Sequence, residues 1–183
     1  MRVLGIDPGS SVTGFGIIDH EGGRMRHVAA GTIRTSVSVR GAERLRVIYR
    51  GLLEIIDSYA PAMMSLERSF VAANVQSAFR LGEARAVAML AAAERDIALY
   101  EYTPTEVKMA VAGFGRADKA QVKDMVRRTL GLDAALALAD DASDALALAA
   151  CHLIRGRLGV AMSSSKTGTA GRAMPRAIPG ATR

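Results

Sequence analysis

Four acidic residues stand where carboxylates are costly to keep unless they serve a purpose. Asp7 ends the apolar run Val3-Leu4-Gly5-Ile6, and Glu67 ends Met63-Met64-Ser65-Leu66. A charge at the end of a buried strand needs hydrogen bonds, counter-charges or a metal to compensate its desolvation. Asp141 and Asp144 follow at i and i+3, so on a helix they share one face. Four carboxylates brought together repel one another and call for cations. Oxygen-only ligation selects Mg²⁺ or Mn²⁺ over zinc. Two such ions, roughly 3.5–4 Å apart, suit phosphodiester cleavage: one activates the attacking water and the other stabilises the leaving 3′ oxygen. Taken singly, each acid has a plainer use. Asp140 and Asp141 can cap a helix, and Asp7 can serve a turn. The joint occurrence on three elements able to meet favours the metal reading.

Those elements are legible in the hydrophobic pattern. Residues 2–7 read as a buried strand and Pro8-Gly9-Ser10-Ser11 as a turn. Val12–Asp19 and roughly Met25–Arg34 read as two further strands joined by a Gly22-Gly23 hairpin. Residues 41–59 switch to helical period, with Leu45, Ile48, Leu52, Ile55, Ile56 and Tyr59 on one face, and Pro61 stops the helix. A strand at 63–67, an Ala-rich helix around 75–95 and a fifth strand at 97–102 follow. Helices are expected near 104–112, 119–130 and 141–157. The order predicts an α/β fold, a five-stranded mixed sheet with helices on both faces. If the strands ending in Asp7 and Glu67 are parallel neighbours, both acids emerge at one carboxyl edge, where open α/β sheets place their sites. The expected division is a nuclease-sized domain over 1–158 and a basic tail over 159–183, whose Ser, Gly, Ala, Pro and Arg show no periodicity.

Composition narrows the function classes. Half of the 183 residues are hydrophobic, yet there is no Trp, so Ala, Val, Leu, Ile and Met must build the core. A single cysteine, Cys151, excludes a disulfide framework and a cysteine zinc site. The chain opens directly on a strand, without the pattern of a secretion signal, and no window is apolar for long enough to span a bilayer. These features predict a soluble cytoplasmic protein. The formal net charge is +6, but all 18 acidic residues lie in 1–144, where 18 Lys and Arg balance them. A nucleic-acid surface on the body must therefore come from local clustering. The clearest cluster is Lys108, Arg116, Lys119, Lys123, Arg127 and Arg128 against Asp118 and Asp124. Such residues would bind phosphates in a salt-dependent way. For Lys123, Arg127 and Arg128 the plainer reading is a solvated helix face. His152 lies about 12 Å along the helix from Asp144 and is not expected to be a ligand.

Three stretches together resemble RuvC-type Holliday-junction resolvases. They are Val3-Leu4-Gly5-Ile6-Asp7-Pro8-Gly9 with Thr13-Gly14-Phe15-Gly16; Glu67-Arg68-Ser69-Phe70 with Asn74, Ser77-Ala78 and Leu81-Gly82-Glu83-Ala84-Arg85; and Asp141-Ala142-Ser143-Asp144-Ala145-Leu146-Ala147. The match is collinear over about residues 1–158. It implies an RNase H-like fold and a homodimer making paired nicks on opposite strands of a four-way junction, leaving 5′-phosphate and 3′-hydroxyl ends. A branch-migration motor is a further implied partner. The resemblance makes Asp7, Glu67, Asp141 and Asp144 the ligands of two Mg²⁺ ions, and leaves Asp140 as a cap. It gives Lys108 and Lys119 a backbone-binding or catalytic-support role, and makes Phe70 an aromatic that stacks on bases near the junction centre. Dimerisation is expected through the small-residue helix at 75–95. The sequence departs from the family pattern at Ala73, where a basic residue is common, and at Glu83 and Ala86, where Gln and Gly are common.

Three rivals remain on the sequence alone. Gly5-Ile6-Asp7-Pro8-Gly9-Ser10-Ser11 is similar to the phosphate-binding hairpin of actin-like ATPases and sugar kinases. Those proteins close two comparable domains over a nucleotide. A second rival is a short RNase H-like nuclease acting on structured RNA. The third is a binding module without catalysis, which the complete acid set opposes.

Overall fold

A computed structural model describes residues 1–36, 38, 39, 41–68, 74–133 and 135–163, with only the backbone over 157–163. Phe70 and the tail from 164 lie outside the described residues. The element order is β1 (Arg2–Asp7), β2 (Val12–Glu21), β3 (Arg24–Arg34), α1 (Ala42–Tyr59), β4 (Met63–Glu67), α2 (Val75–Glu94), β5 (Ala98–Tyr102), α3 (Pro104–Ala112), α4 (Lys119–Leu130) and α5 (Asp140–Ser163). The five strands form one mixed sheet in the order β3-β2-β1-β4-β5. β2 runs antiparallel to β1 and β3, while β4 runs parallel to β1 and β5 parallel to β4. The expected mixed sheet is present, and β1 and β4 are parallel neighbours.

The alternation along β1 divides the core. Leu4 and Ile6 face α1 and α2, joining Ile17, Ile48, Leu52, Ile56, Met64, Leu66, Ala84 and Ala88. Val3 faces the other way, into a core with Val107, Val111, Val122, Val126 and Leu146 from α3, α4 and α5. Strand side chains alternate between faces, so one short run serves both layers.

α5 lies unusually close to the sheet, and two glycines make that possible. A Cβ on Gly5 would stand 1.9 Å from the carbonyl oxygen of Ala145, and one on Gly14 would stand 2.0 Å from that of Asp141. Only a residue without a side chain admits a helix backbone this near a strand. The helix answers with Ala142, Ala145 and Ala149, all buried. A buried bond from Ser65 Oγ to the Leu148 carbonyl, at 2.8 Å, ties β4 to the same helix.

Element ends are set by local chemistry. Gly22 and Gly23 both take positive φ, 55° and 80°, as a two-residue hairpin of the type I′ class requires. Thr103 with Glu106, and Asp118 with Gln121, form reciprocal capping boxes at the starts of α3 and α4. β5 begins at Ala98, one residue later than expected, because the Ile97 N–H bonds back to the Ala92 carbonyl and closes the end of α2. α5 begins at Asp140 and continues to Ser163, further than the expected 157. Asp140 is therefore the first helical residue rather than a cap, and its carboxylate accepts from Lys123 Nζ at 2.7 Å. This corrects the capping role expected for it.

Candidate active site

β1 and β4 deliver their acids to the same end of the sheet. The parallel register pairs Ile6 with Leu66, so Asp7 and Glu67 are the next residues along each strand. Their carboxyl groups stand near enough for each to influence the other's protonation. Burial pushes Asp7 up to about 8, and the negative charges of Glu67, Asp144 and Asp141 push in the same direction. Glu67 is raised too, by burial first; its interaction with Asp7 and the nearby Lys119 and Arg85 work the other way. The site is rich in acid and short of positive charge.

Part of the missing charge comes from α4. Lys119 reaches Asp144 with Nζ 2.8 Å from Oδ2. That bond, with the nearby charges of Asp144, Asp7 and Asp140, raises the lysine pKa. Asp7, Glu67 and Asp144 line a cavity of about 430 Å³ together with Lys108 and Lys119. Its walls are Pro104, Val107, Val122, Ala147 and Leu148. An acidic floor with two lysines at hand suits a phosphodiester whose oxygens need neutralising.

The sequence-derived residues do not all meet in the cavity. Asp7, Glu67, Asp144, Lys108 and Lys119 meet in the cavity. Asp141 does not line it: its Cβ packs over Gly14, and it acts on Asp7 through its charge. Lys123 lies beside the cavity, in a shallow depression with Lys119, Asp140, Ser143 and Asp144. Arg116 is exposed on the α3–α4 connection. Arg127 donates to the carbonyls of Asp133 and Leu136, and Arg128 pairs with Asp124 at 2.8 Å. For these two, the solvated-face reading fits better than a DNA contact. His152 is buried and bonded through Nδ1 to the Tyr102 hydroxyl at 2.8 Å, away from the acids, as expected.

Among the described residues no three acidic, imidazole or thiol groups stand close enough to grip one ion. Asp144 is held by the Lys119 ammonium, while burial and neighbouring negative charge raise the Asp7 pKa. The donor set is all oxygen, negative charge is concentrated around the buried Asp7, and the cavity is open to its lysines. These properties fit a hard divalent cation.

One further residue touches the site without having been singled out by its type. Arg85, in the middle of α2, donates through Nη1 to the main-chain carbonyl of Glu67 and pairs through Nη2 with Glu101 on β5. The available signal was a lone arginine beside the buried alanines 84, 88 and 91. Its target is a backbone carbonyl on another element, which no side-chain pattern reveals.

The sheet order, the paired strand-end acids and the flanking lysines define a metal-dependent nuclease on an RNase H-like fold. The comparisons with known proteins are more specific: residues 3–152 match the model of the family Crossover junction endodeoxyribonuclease RuvC, and the chain belongs to that family. The RuvC protein of Syntrophotalea carbinolica is 51% identical over 152 residues, covering 83% of this chain and 93% of that one. The one from Chloroflexus aggregans is 48% identical over the same length, with 92% of it covered. Among solved structures, T. thermophilus RuvC in complex with Holliday junction substrate superposes with a TM-score of 0.81 at 34% identity, covering 87% of this chain and 96% of that one. The family membership decides among the readings left open by the sequence, in favour of the nuclease acting on DNA.

Proposed function

We propose that this chain resolves four-way DNA junctions as a homodimer, each protomer hydrolysing one phosphodiester bond so that the two nicks fall symmetrically on opposite strands. The observation that carries the reading is the meeting of Asp7, Glu67 and Asp144 in one cavity with Lys108 and Lys119. Asp7, Glu67, Asp141 and Asp144 would hold Mg²⁺, two ions per site, with Mn²⁺ an acceptable substitute. When bound, such ions supply the charge that activates the attacking water and steadies the leaving 3′ oxygen.

The residues of the chain do the remaining work. Asp7 and Glu67 have raised pKa values, so a cation held by them would be taken up with release of protons. Lys119 lets go of Asp144 and, with Lys108, meets the phosphate. Lys123 and Arg116 extend the basic surface outward along the duplex. Phe70, three residues past Glu67, stacks on bases at the junction centre and helps open the pair beside the cut.

The dimer reading draws support from α2. Val75, Phe79 and Leu90 are 72%, 70% and 58% exposed, an apolar surface that a helix does not normally leave to water. Ala78, Gly82 and Ala86 give it a shallow, small-residue groove next to Phe79. Two-fold symmetry of the protein would match that of the junction and coordinate the cuts. Among the described residues no helix is long and apolar enough to cross a membrane. Work on DNA in the cytoplasm, with a branch-migration motor as a further partner, is the setting this reading implies.

The test is Asp7→Asn. The variant should bind a labelled four-way junction with unchanged affinity and fail to nick it in Mg²⁺. Retained nicking would overturn the assignment of the site.

A further inference from the structure

Arg85 of α2 reaches the main chain of an active-site strand with both ends of its fork in use. Nη1 donates to the carbonyl of Glu67, and Nη2 pairs with the Glu101 carboxylate on the adjacent strand β5. The side chain is 17% exposed and Glu101 27%, so the bridge is largely shielded from water. Glu67 is the last residue of β4. Beyond it the Arg68 N–H donates to the Tyr102 carbonyl at 2.7 Å. The Glu67 carbonyl and the Arg68 N–H belong to one peptide unit at the end of β4, bonded on one side by Arg85 and on the other by β5. A guanidinium is suited to hold it, because its donors are planar and fixed in relation to each other.

We infer that Arg85 is a positioning residue for Glu67, clamping the end of β4 to β5 so that the Glu67 carboxylate stays opposite Asp7. The inference rests on the reading of Glu67 as part of the catalytic site. It adds a function for a side chain that touches neither the cavity nor the carboxyl groups in it. It also gives α2 a second role, since one face carries Phe79, Gly82 and Ala86 outward while Arg85 on the same helix steadies an active-site strand. A loose Glu67 would weaken ion binding and slow the chemical step while leaving the lysines that hold DNA in place.

The test uses Arg85→Leu, Arg85→Lys and Glu101→Gln in the full chain. Each is measured for junction affinity, single-turnover nicking at saturating junction, direct Mn²⁺ binding by calorimetry without DNA, melting temperature and molecular mass in solution. For Arg85→Leu the nicking rate should fall at least about tenfold, with junction affinity within about twofold, and Mn²⁺ binding should weaken several-fold. Arg85→Lys keeps the charge but not the fork, and should recover part of both losses. Glu101→Gln leaves the bond to the Glu67 carbonyl and should cost less than Arg85→Leu. Wild-type nicking and Mn²⁺ binding in Arg85→Leu would overturn the inference. So would a loss of junction affinity matching the loss of nicking, which would make Arg85 a DNA contact. If Arg85→Leu does not fold, Arg85→Lys and Glu101→Gln still decide: unchanged Mn²⁺ binding and rate in both counts against the clamp. Glu67→Gln is the separate control for the underlying reading. If it nicks normally, Glu67 is not part of the site, and the failure lies there rather than with Arg85.

Discussion

Asp7 concentrates the electrostatic cost of the site, and that cost has a measurable sign. Its pKa is raised from the ordinary 3.8 to about 8, by burial and then by the charges of Glu67, Asp144 and Asp141. A carboxyl with a raised pKa in the folded state binds its proton more tightly there than in the unfolded chain. The resulting stability is fully present below about pH 4 and is lost as pH climbs to about 8. Asp7→Asn removes this dependence, because an amide needs no proton. In chelator, the difference in melting temperature between Asp7→Asn and the wild type should therefore grow in favour of the variant from pH 5 to pH 8. Thermal scans at four or five pH values suffice, and a constant difference would contradict the proposed protonation. Mg²⁺ should then raise the melting temperature of the wild type at pH 8 more than that of the variant. Lys119 permits the complementary measurement. Its side chain is 72% exposed, so losing the bond to Asp144 should change stability by under about 1 kcal/mol. Lys119→Met should nonetheless bind Mn²⁺ more tightly without DNA, since the ammonium no longer competes for Asp144. It should also nick junctions at least about tenfold more slowly, because the phosphate loses that partner. Equal Mn²⁺ affinity in calorimetric titrations would mean that Lys119 and the ion do not compete.

At the scale of elements, the placement of α5 decides whether the acids meet. Gly5 and Gly14 admit the helix backbone, and a methyl group at either position collides with a carbonyl oxygen rather than with a side chain that can rotate away. Overpacking of this kind typically costs about 1–3 kcal/mol. Gly5→Ala lies under Ala145, deep in the sheet, and should mainly lower the melting temperature. Gly14→Ala lies under Asp141 itself, so it should lose more nicking activity than its melting temperature accounts for. Comparing the two variants at a temperature where both remain folded checks this, and equal residual activity would remove the special role of Gly14. The same two residues show where reading from sequence stops. Strand-end acids, helical periods and the Gly22-Gly23 hairpin are local signals, and the elements they announce are present within a few residues of the expected ends. The parallel pairing of β1 with β4 was legible only as a condition for the acids to meet. The partners of Gly5 and Gly14 lie more than a hundred residues away on α5. Their need to be small depends on a contact that no periodicity encodes. Arg85 escaped for the same reason, since it binds a main-chain carbonyl. Asp140 resembled a cap because helix starts attract acids, but its carboxylate is used by Lys123 across to α4.

Among the described residues, α2 carries an exposed apolar face, and the proposed activity requires a partner for it. A four-way junction is cut on two strands, so a single site would leave the second cut to a later, independent encounter. Phe79 on α2 is 70% exposed and stands beside the groove of Ala78, Gly82 and Ala86, far in sequence from any acid of the cavity except Glu67. A charge placed there should separate protomers without unfolding either, because Phe79 contributes little to the core of its own chain. Phe79→Glu should therefore scatter light as a monomer at concentrations where the wild type is a dimer, with a melting temperature no lower than expected from losing the interface. The monomer keeps Asp7, Glu67, Asp144 and both lysines, so it should still nick. The nicks should fall singly, and linear resolved duplexes should appear only after a lag, as second encounters accumulate. In a supercoiled plasmid carrying an extruded cruciform, the wild type should yield linear product within one binding event, and the variant should yield nicked circles first. Linear product without nicked circles from a proven monomer would break the link between symmetry and paired cutting. A variant that stays dimeric would place the interface on another face.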